Sequence, residues 1–106
     1  MPHTLMLAWA SPAPEAEQEF HTWYESVHIP QVTTLLPVPG GVQRYQLVLD
    51  DGAPRYLAVY DLGENVDPAA AAAALGAATQ AGDLDMTKAM DTVDNPPQIQ
   101  FVTSLP

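Results

Sequence analysis

The first apolar run, His3 to Ala10 (HTLMLAWA), is short, and Ser11-Pro12-Ala13-Pro14 closes it with prolines that a strand interior tolerates badly. It predicts a first β-strand. The spacing then changes. Between Phe20 and Gln31 (FHTWYESVHIPQ), a step of about 100° per residue gathers Phe20, Trp23, Tyr24, Val27 and Gln31 on one side and Glu19, Thr22, Glu25 and Ser26 on the other. That is an amphipathic helix lying on a core. Its start is expected at Ser11 or Ala13 leading into Pro14, with Glu15, Glu17 and Glu19 in the first turns at the positive end of the helix dipole. Pro30 is expected to break or kink it, with a further turn through Leu36, before Pro37, Pro39, Gly40 and Gly41 end it.

Alternation by two takes over from Val42 to Asp50 (VQRYQLVLD), where Tyr45, Leu47 and Leu49 share one face and Val42, Arg44, Gln46 and Val48 the other. Asp51-Gly52-Ala53-Pro54 is a turn cluster. Arg55 to Leu62 (RYLAVYDL) follows at hairpin distance, with Tyr56, Ala58, Tyr60 and Leu62 alternating against Arg55, Leu57, Val59 and Asp61. Asp67 and Pro68 form an N-cap and first-position pair for an alanine-rich helix that Gly82 interrupts. Another turn or two of helix is expected from Leu84 to Thr92. After Asn95-Pro96-Pro97, Gln98 to Leu105 (QIQFVTSL) alternates again and predicts a last strand.

The resulting order, β-α-β-β-α-β, is that of an α+β ferredoxin-like domain in which a four-stranded antiparallel sheet carries both helices on one face. The sheet's other face is apolar as well and needs a cover, which a second copy packed face to face would supply. Each subunit would then keep a cavity between its own sheet and helices. His21, Tyr24 and His28 follow one edge of the first helix, at spacings that would present that edge to a cleft.

The 106 residues are read as one domain, 1–106, small enough that a homodimer would aid its stability. At 47% hydrophobic and 15% charged residues the chain is too apolar to stay disordered. A net charge of −10 repels nucleic-acid phosphates and anionic membrane surfaces, so neither is expected as a partner. With no cysteine there is no disulfide or thiol chemistry, and the alanine-dominated run Pro68 to Gly76 is too short to span a bilayer. A cytoplasmic protein is expected. No P-loop, dinucleotide fingerprint or G-x-S-x-G elbow occurs.

The segment EFHTWYESVHIPQVTTLLPVPGGVQRYQL, followed by RYLAVYDL, resembles the EthD-like group of dimeric α+β barrel proteins. Its points of likeness are a Trp/Phe-Tyr-x-x-x-His helix, a Pro-Gly turn and an Arg-Tyr strand, all within the first sixty or so residues; the remainder agrees in element order. The resemblance implies cofactor-free or cofactor-light chemistry on aromatic, polyketide-like or lactone substrates, by cyclases, isomerases, monooxygenases or decarboxylases. It points to Trp23, Tyr24, His28, Arg44 and Tyr45.

His28 can serve as acid and base near neutrality, or its ring can simply bond a backbone group and fix the helix end. Tyr24 can donate to a developing oxyanion, and Trp23 can form an aromatic wall, though both residue types also serve as plain core. Trp9 and Tyr60 would line the same space if their strand faces point at the helices. His21 is placed at the margin, as a substrate neighbour or a surface histidine. Arg44 can hold a carboxylate or phenolate, against the alternative of a salt bridge across the dimer with Asp50 or Asp61; Arg55 is read as a surface partner. Two histidines seven apart and a third on another element do not suit a metal, and no metal or cofactor is expected.

These residues frame an enzyme that moves a proton on a small molecule, with cyclisation, isomerisation or elimination following. His28 would be the acid/base, Tyr24 the oxyanion donor and Arg44 the anchor. A cofactor-independent monooxygenase on the same scaffold and a non-catalytic interaction subunit are the alternatives.

Overall fold

Four strands, β1 (His3–Ala10), β2 (Val42–Gln46), β3 (Tyr56–Glu64) and β4 (Gln98–Thr103), form one antiparallel sheet in the order β2-β3-β1-β4. This computed structural model describes residues 2–48 and 50–106, so Leu49, expected on an apolar face of β2, lies outside the described residues. The alternation seen in the sequence decides the faces. Thr4, Met6, Ala8 and Ala10 of β1 are buried together with Tyr56, Ala58, Tyr60 and Leu62 of β3, and Met6 pairs with Tyr60 across the ladder. The intervening Leu5, Leu7, Trp9, Leu57 and Val59 form the opposite face and stay half-buried.

All helices described pack on the first of these faces. Helix α1 (Glu17–Trp23) passes into a π-turn (Tyr24–His28) and then into α2 (Ile29–Leu35), with right-handed helical backbone angles through both joints. The break expected at Pro30 does not occur. Proline has no N–H to give to the carbonyl four residues earlier, and its ring crowds that carbonyl. The turn widens instead, and Ile29 N–H reaches back five residues to the Tyr24 carbonyl. Phe20, Trp23, Tyr24 and Val32 are buried beneath this rod, with Val27 half-buried against them.

Helix α3 (Pro68–Ala81) begins as its sequence requires, the Asp67 carboxylate accepting the Ala69 N–H at 3.0 Å. It ends at Gly82, whose φ of 77° lets the chain turn left-handed so that the Asp83 N–H reaches the Ala78 carbonyl at 2.9 Å.

Two expected helical segments are extended or looped, for one shared reason. Pro12 bridges to Met90, the Ala13 N–H donates to the Ala89 carbonyl at 2.6 Å, and the Asp91 N–H donates to the Ser11 carbonyl at 2.9 Å. Residues 11–13 therefore cannot join the helix, which starts at Glu17 after a turn with Glu15 at φ 63°. Residues 89–91 are committed to that bridge, and the Asp85 backbone is taken by Gln31 and the Trp23 indole, so the helical turns expected over 84–92 do not form.

The architecture is α+β, compatible with a ferredoxin-like arrangement. No helix among the described residues is long and apolar enough to cross a membrane.

Candidate functional site

Because the sheet and helices part where α3 and the loop 83–97 meet β1, a cavity of about 240 Å³ remains between them. Its walls are almost wholly apolar: Met6, Ala8 and Ala10 from the sheet, Trp23 and Val32 from the helix, Leu75 from α3, and Leu84, Met86, Met90 and Pro97 from the loop. His28, Tyr24 and Tyr60 interrupt them, as does Thr79, whose hydroxyl is spent on the Leu75 carbonyl at 2.9 Å.

The π-turn is what brings His28 here. In a regular α-helix His21 and His28 would lie nearly above one another. The additional residue in the turn rotates the later one away, so His28 stacks on Trp23, centroids 4.7 Å apart, and meets the Tyr24 ring edge-on at 4.9 Å. Its Nδ1 is buried without a hydrogen-bond partner. Burial lowers its pKa to about 4, so the ring is neutral at physiological pH. The backbone bond that would have made His28 a structural fixture of the helix end is not formed through Nδ1.

Tyr60 is fully enclosed at 0% exposure, and its hydroxyl also lacks a partner of good geometry, although Tyr24 is close enough to influence its proton. Burial, and after it Tyr24, drives the Tyr60 pKa far above the ordinary phenol value. Burial raises Tyr24 as well, with Tyr60 and the Arg44 charge pulling the other way. Both phenols keep their protons, and the cavity presents a neutral nitrogen beside neutral O–H donors.

Arg44 is not among the cavity's lining residues. Its guanidinium lies over the Tyr24 ring at 4.5 Å, donates to Glu25 at 3.2 Å, and lies 3.0 Å from His21 Nδ1. Within the chain its carboxylate partner is Glu25. His21 lines no part of the cavity; it meets the Tyr56 ring at 4.4 Å and approaches Glu17 at 3.8 Å. Burial first, then the bond to Glu17, pushes the Tyr56 phenol up to about 12.

Other expected positions separate. Tyr45 is 53% exposed and pairs with Leu57 on the far face of the sheet, away from the cavity. Trp9 borders the cavity yet alternates with the inward Ala8 and Ala10, so it belongs to the far face too. Arg55 is not a free surface group: it donates to Ser11 Oγ at 3.2 Å and to the carbonyls of Asn95 and Pro96 at 3.5 and 3.2 Å, tying the C-terminal loop to the end of β1. Among the described residues no three His, Asp or Glu side chains converge as a metal site requires.

Sequence reasoning did not include Met6, Met90 and the loop 83–97. Met6 was findable, since alternation from Ala8 places it inward. The loop was not, because distant segments hold it: besides the backbone bridge at Met90 and the Arg55 bonds, Gln31 and Asp85 exchange hydrogen bonds of 2.9 and 2.8 Å, and the Trp23 indole N–H donates to the Asp85 carbonyl at 2.9 Å. No family model matches this chain, and neither a curated protein nor a solved structure matches it.

Proposed function

We propose that this chain is a cofactor-independent enzyme that moves a proton on an uncharged aromatic, lactone or polyketide-like molecule held between sheet and helix. The observation that carries this reading is the unpartnered, buried Nδ1 of His28 in a largely apolar cavity. An orphaned polar atom costs stability, and a ligand proton would satisfy it. The nitrogen would take a proton from a phenol or from carbon beside a carbonyl, while Tyr24 and Tyr60 donate to the oxygen that gains charge. Returning the proton elsewhere gives isomerisation; loss of a leaving group gives elimination; attack of the enolate carbon on a second carbonyl closes a ring.

Arg44 has no place in this scheme as a substrate anchor, since it stands behind Tyr24 and is paired with Glu25. A cavity without fixed charge favours a neutral substrate over a carboxylate. The EthD-like resemblance, carried by the helix of His28 and the strand of Arg44, agrees with this chemistry. A pocketless core would favour an interaction subunit, and the open volume speaks against that. The dry walls also suit a monooxygenase in which the substrate's own carbanion reacts with oxygen, and oxygen consumption on adding substrate separates the two.

A second copy of the chain is placed on the far face of the sheet, over Trp9, Leu57, Leu7 and Val59, completing a dimeric barrel. The test of the site is a thermal-shift screen with phenolic, lactone and polyketide-like compounds on the wild type and on His28→Ala. A ligand at a hundred times its Kd adds about 2.7 kcal/mol. The shift should vanish in His28→Ala, whose own melting temperature stays within a few degrees of wild type; equal shifts in both would overturn the role of His28.

A further inference from the structure

Only three residues of this chain are Lys or Arg, against thirteen acids, yet Arg44 meets a single carboxylate, Glu25. Its other terminal nitrogen is spent on His21 at 3.0 Å, and its buried Nε has no partner. An arginine placed for ion pairing alone would not be set this way. What the setting achieves is position: the guanidinium is 4.5 Å from the Tyr24 ring centre and 5.9 Å from those of Phe20 and Tyr56. Tyr24 is a partition, with the cavity and His28 to one side and Arg44 over its ring.

We propose that Arg44 is a positioning residue acting on the cavity through the Tyr24 ring, and that neutral His21 is the catch that holds it there. A guanidinium only donates, so His21 Nδ1 accepts and its proton resides on Nε2, which is 3.8 Å from Glu17. Protonation of Nδ1 turns this acceptor into a donor facing a cation. The 3.0 Å contact is then lost, and like charges push Arg44 off the ring. The charged and titratable groups facing His21 are Glu17 from its own helix, Arg44 from β2 and Tyr56 from β3, with Glu25 reaching it through Arg44. Glu17 and Glu25 stabilise the imidazolium and so aid release, while Tyr56 stays protonated and donates to Glu17. With the cation gone, Tyr24 is a weaker hydrogen-bond donor toward the cavity. The site is therefore competent while His21 is neutral and attenuated once it is protonated.

The consequence for activity rests on the proton-transfer reading above, but the mechanism itself is readable without ligand. Nuclear magnetic resonance of ring-labelled Tyr and His is followed from about pH 8 to about pH 5, above the range in which His28 takes up its proton. The Tyr24 ring signals should move with the same midpoint as the His21 signal. In His21→Asn, which keeps an acceptor but does not titrate, they should stay at their high-pH position throughout. In Arg44→Met they should be pH-independent and displaced. Tyr24 signals that ignore His21 in the wild type overturn the proposal, as does an unchanged titration in His21→Asn; the wild-type titration decides alone should either variant not fold. A failed ligand screen leaves this result untouched.

Discussion

His28 and Trp23 lie with ring planes 23° apart and centroids 4.7 Å apart, a stack that shields one face of the imidazole from water. The folded ring accepts a proton only near pH 4, whereas an unfolded histidine does so near 6.5. Below roughly pH 6.5 the unfolded chain thus binds a proton that the folded chain refuses, and folding stability falls progressively as pH drops toward about 4. Denaturant titrations across that window should show the wild type losing up to about 3 kcal/mol relative to His28→Gln. Parallel curves for the two proteins would contradict the burial-driven shift.

Tyr60→Phe removes a fully buried hydroxyl that has no hydrogen-bond partner of good geometry. The variant should be as stable as the parent or more so, by about 1 kcal/mol, while binding cavity ligands less tightly. Calorimetry gives the first quantity and titration with a screened ligand the second. A loss of stability would mean that the hydroxyl is satisfied.

Gln31→Leu deletes both hydrogen bonds to Asp85 and leaves only the Trp23 indole to hold that point of the loop. We expect a cost of about 1–2 kcal/mol, and faster amide exchange at Asp85 with that of β1 unchanged. Uniform acceleration across the sheet would show the loop to be part of the global unfolding unit.

Gly40 has room for no side chain, because a Cβ there would lie 2.1 Å from Asp61 Oδ2. Asp61 also accepts the Gly63 N–H at 2.9 Å, so it cannot step aside without cost. Gly40→Ala should lose about 1–3 kcal/mol in chemical denaturation. A neutral result would mean the β2 end of the sheet shifts freely.

Val59→Asp places a charge at the centre of the apolar far face, between Leu7 and Gln43 in the ladder. If a second copy covers that face, sedimentation should show the wild type as a dimer and the variant as a monomer. A wild type that stays monomeric at high concentration removes the barrel proposal.

The fold was legible wherever one periodicity ran unopposed. Thr4 to Ala10 and Tyr56 to Leu62 alternate without interruption, and Asp67-Pro68 with Gly82 bracket a helix on local chemistry alone. It was least legible where distant segments compete for the same backbone groups, as residues 11–13 and 89–91 do. No local propensity announces such a bridge. At the candidate site, Tyr24 and Tyr60 could be named from helix and strand faces, whereas His28 is named from its motif and its acid/base chemistry, and its place beside the cavity comes from a π-turn that regular spacing does not foresee. The displacement of Arg44, His21 and Tyr45 from the cavity depends on rotations along the helix and on strand register, which a pattern of residue types does not encode.

The widened turn from Tyr24 to His28 takes up one residue beyond regular helical pitch, so His28 and the residues after it face about 100° away from where their spacing alone would put them. Deleting one position there would restore regular pitch, and the six remaining steps of about 100° would leave the histidine about 120° from the edge of His21, close to where the widened turn now holds it. A chain one residue shorter at this point would keep its histidine beside the cavity with no wide turn at all, so the turn is how this helix carries one residue more without losing its register on the sheet.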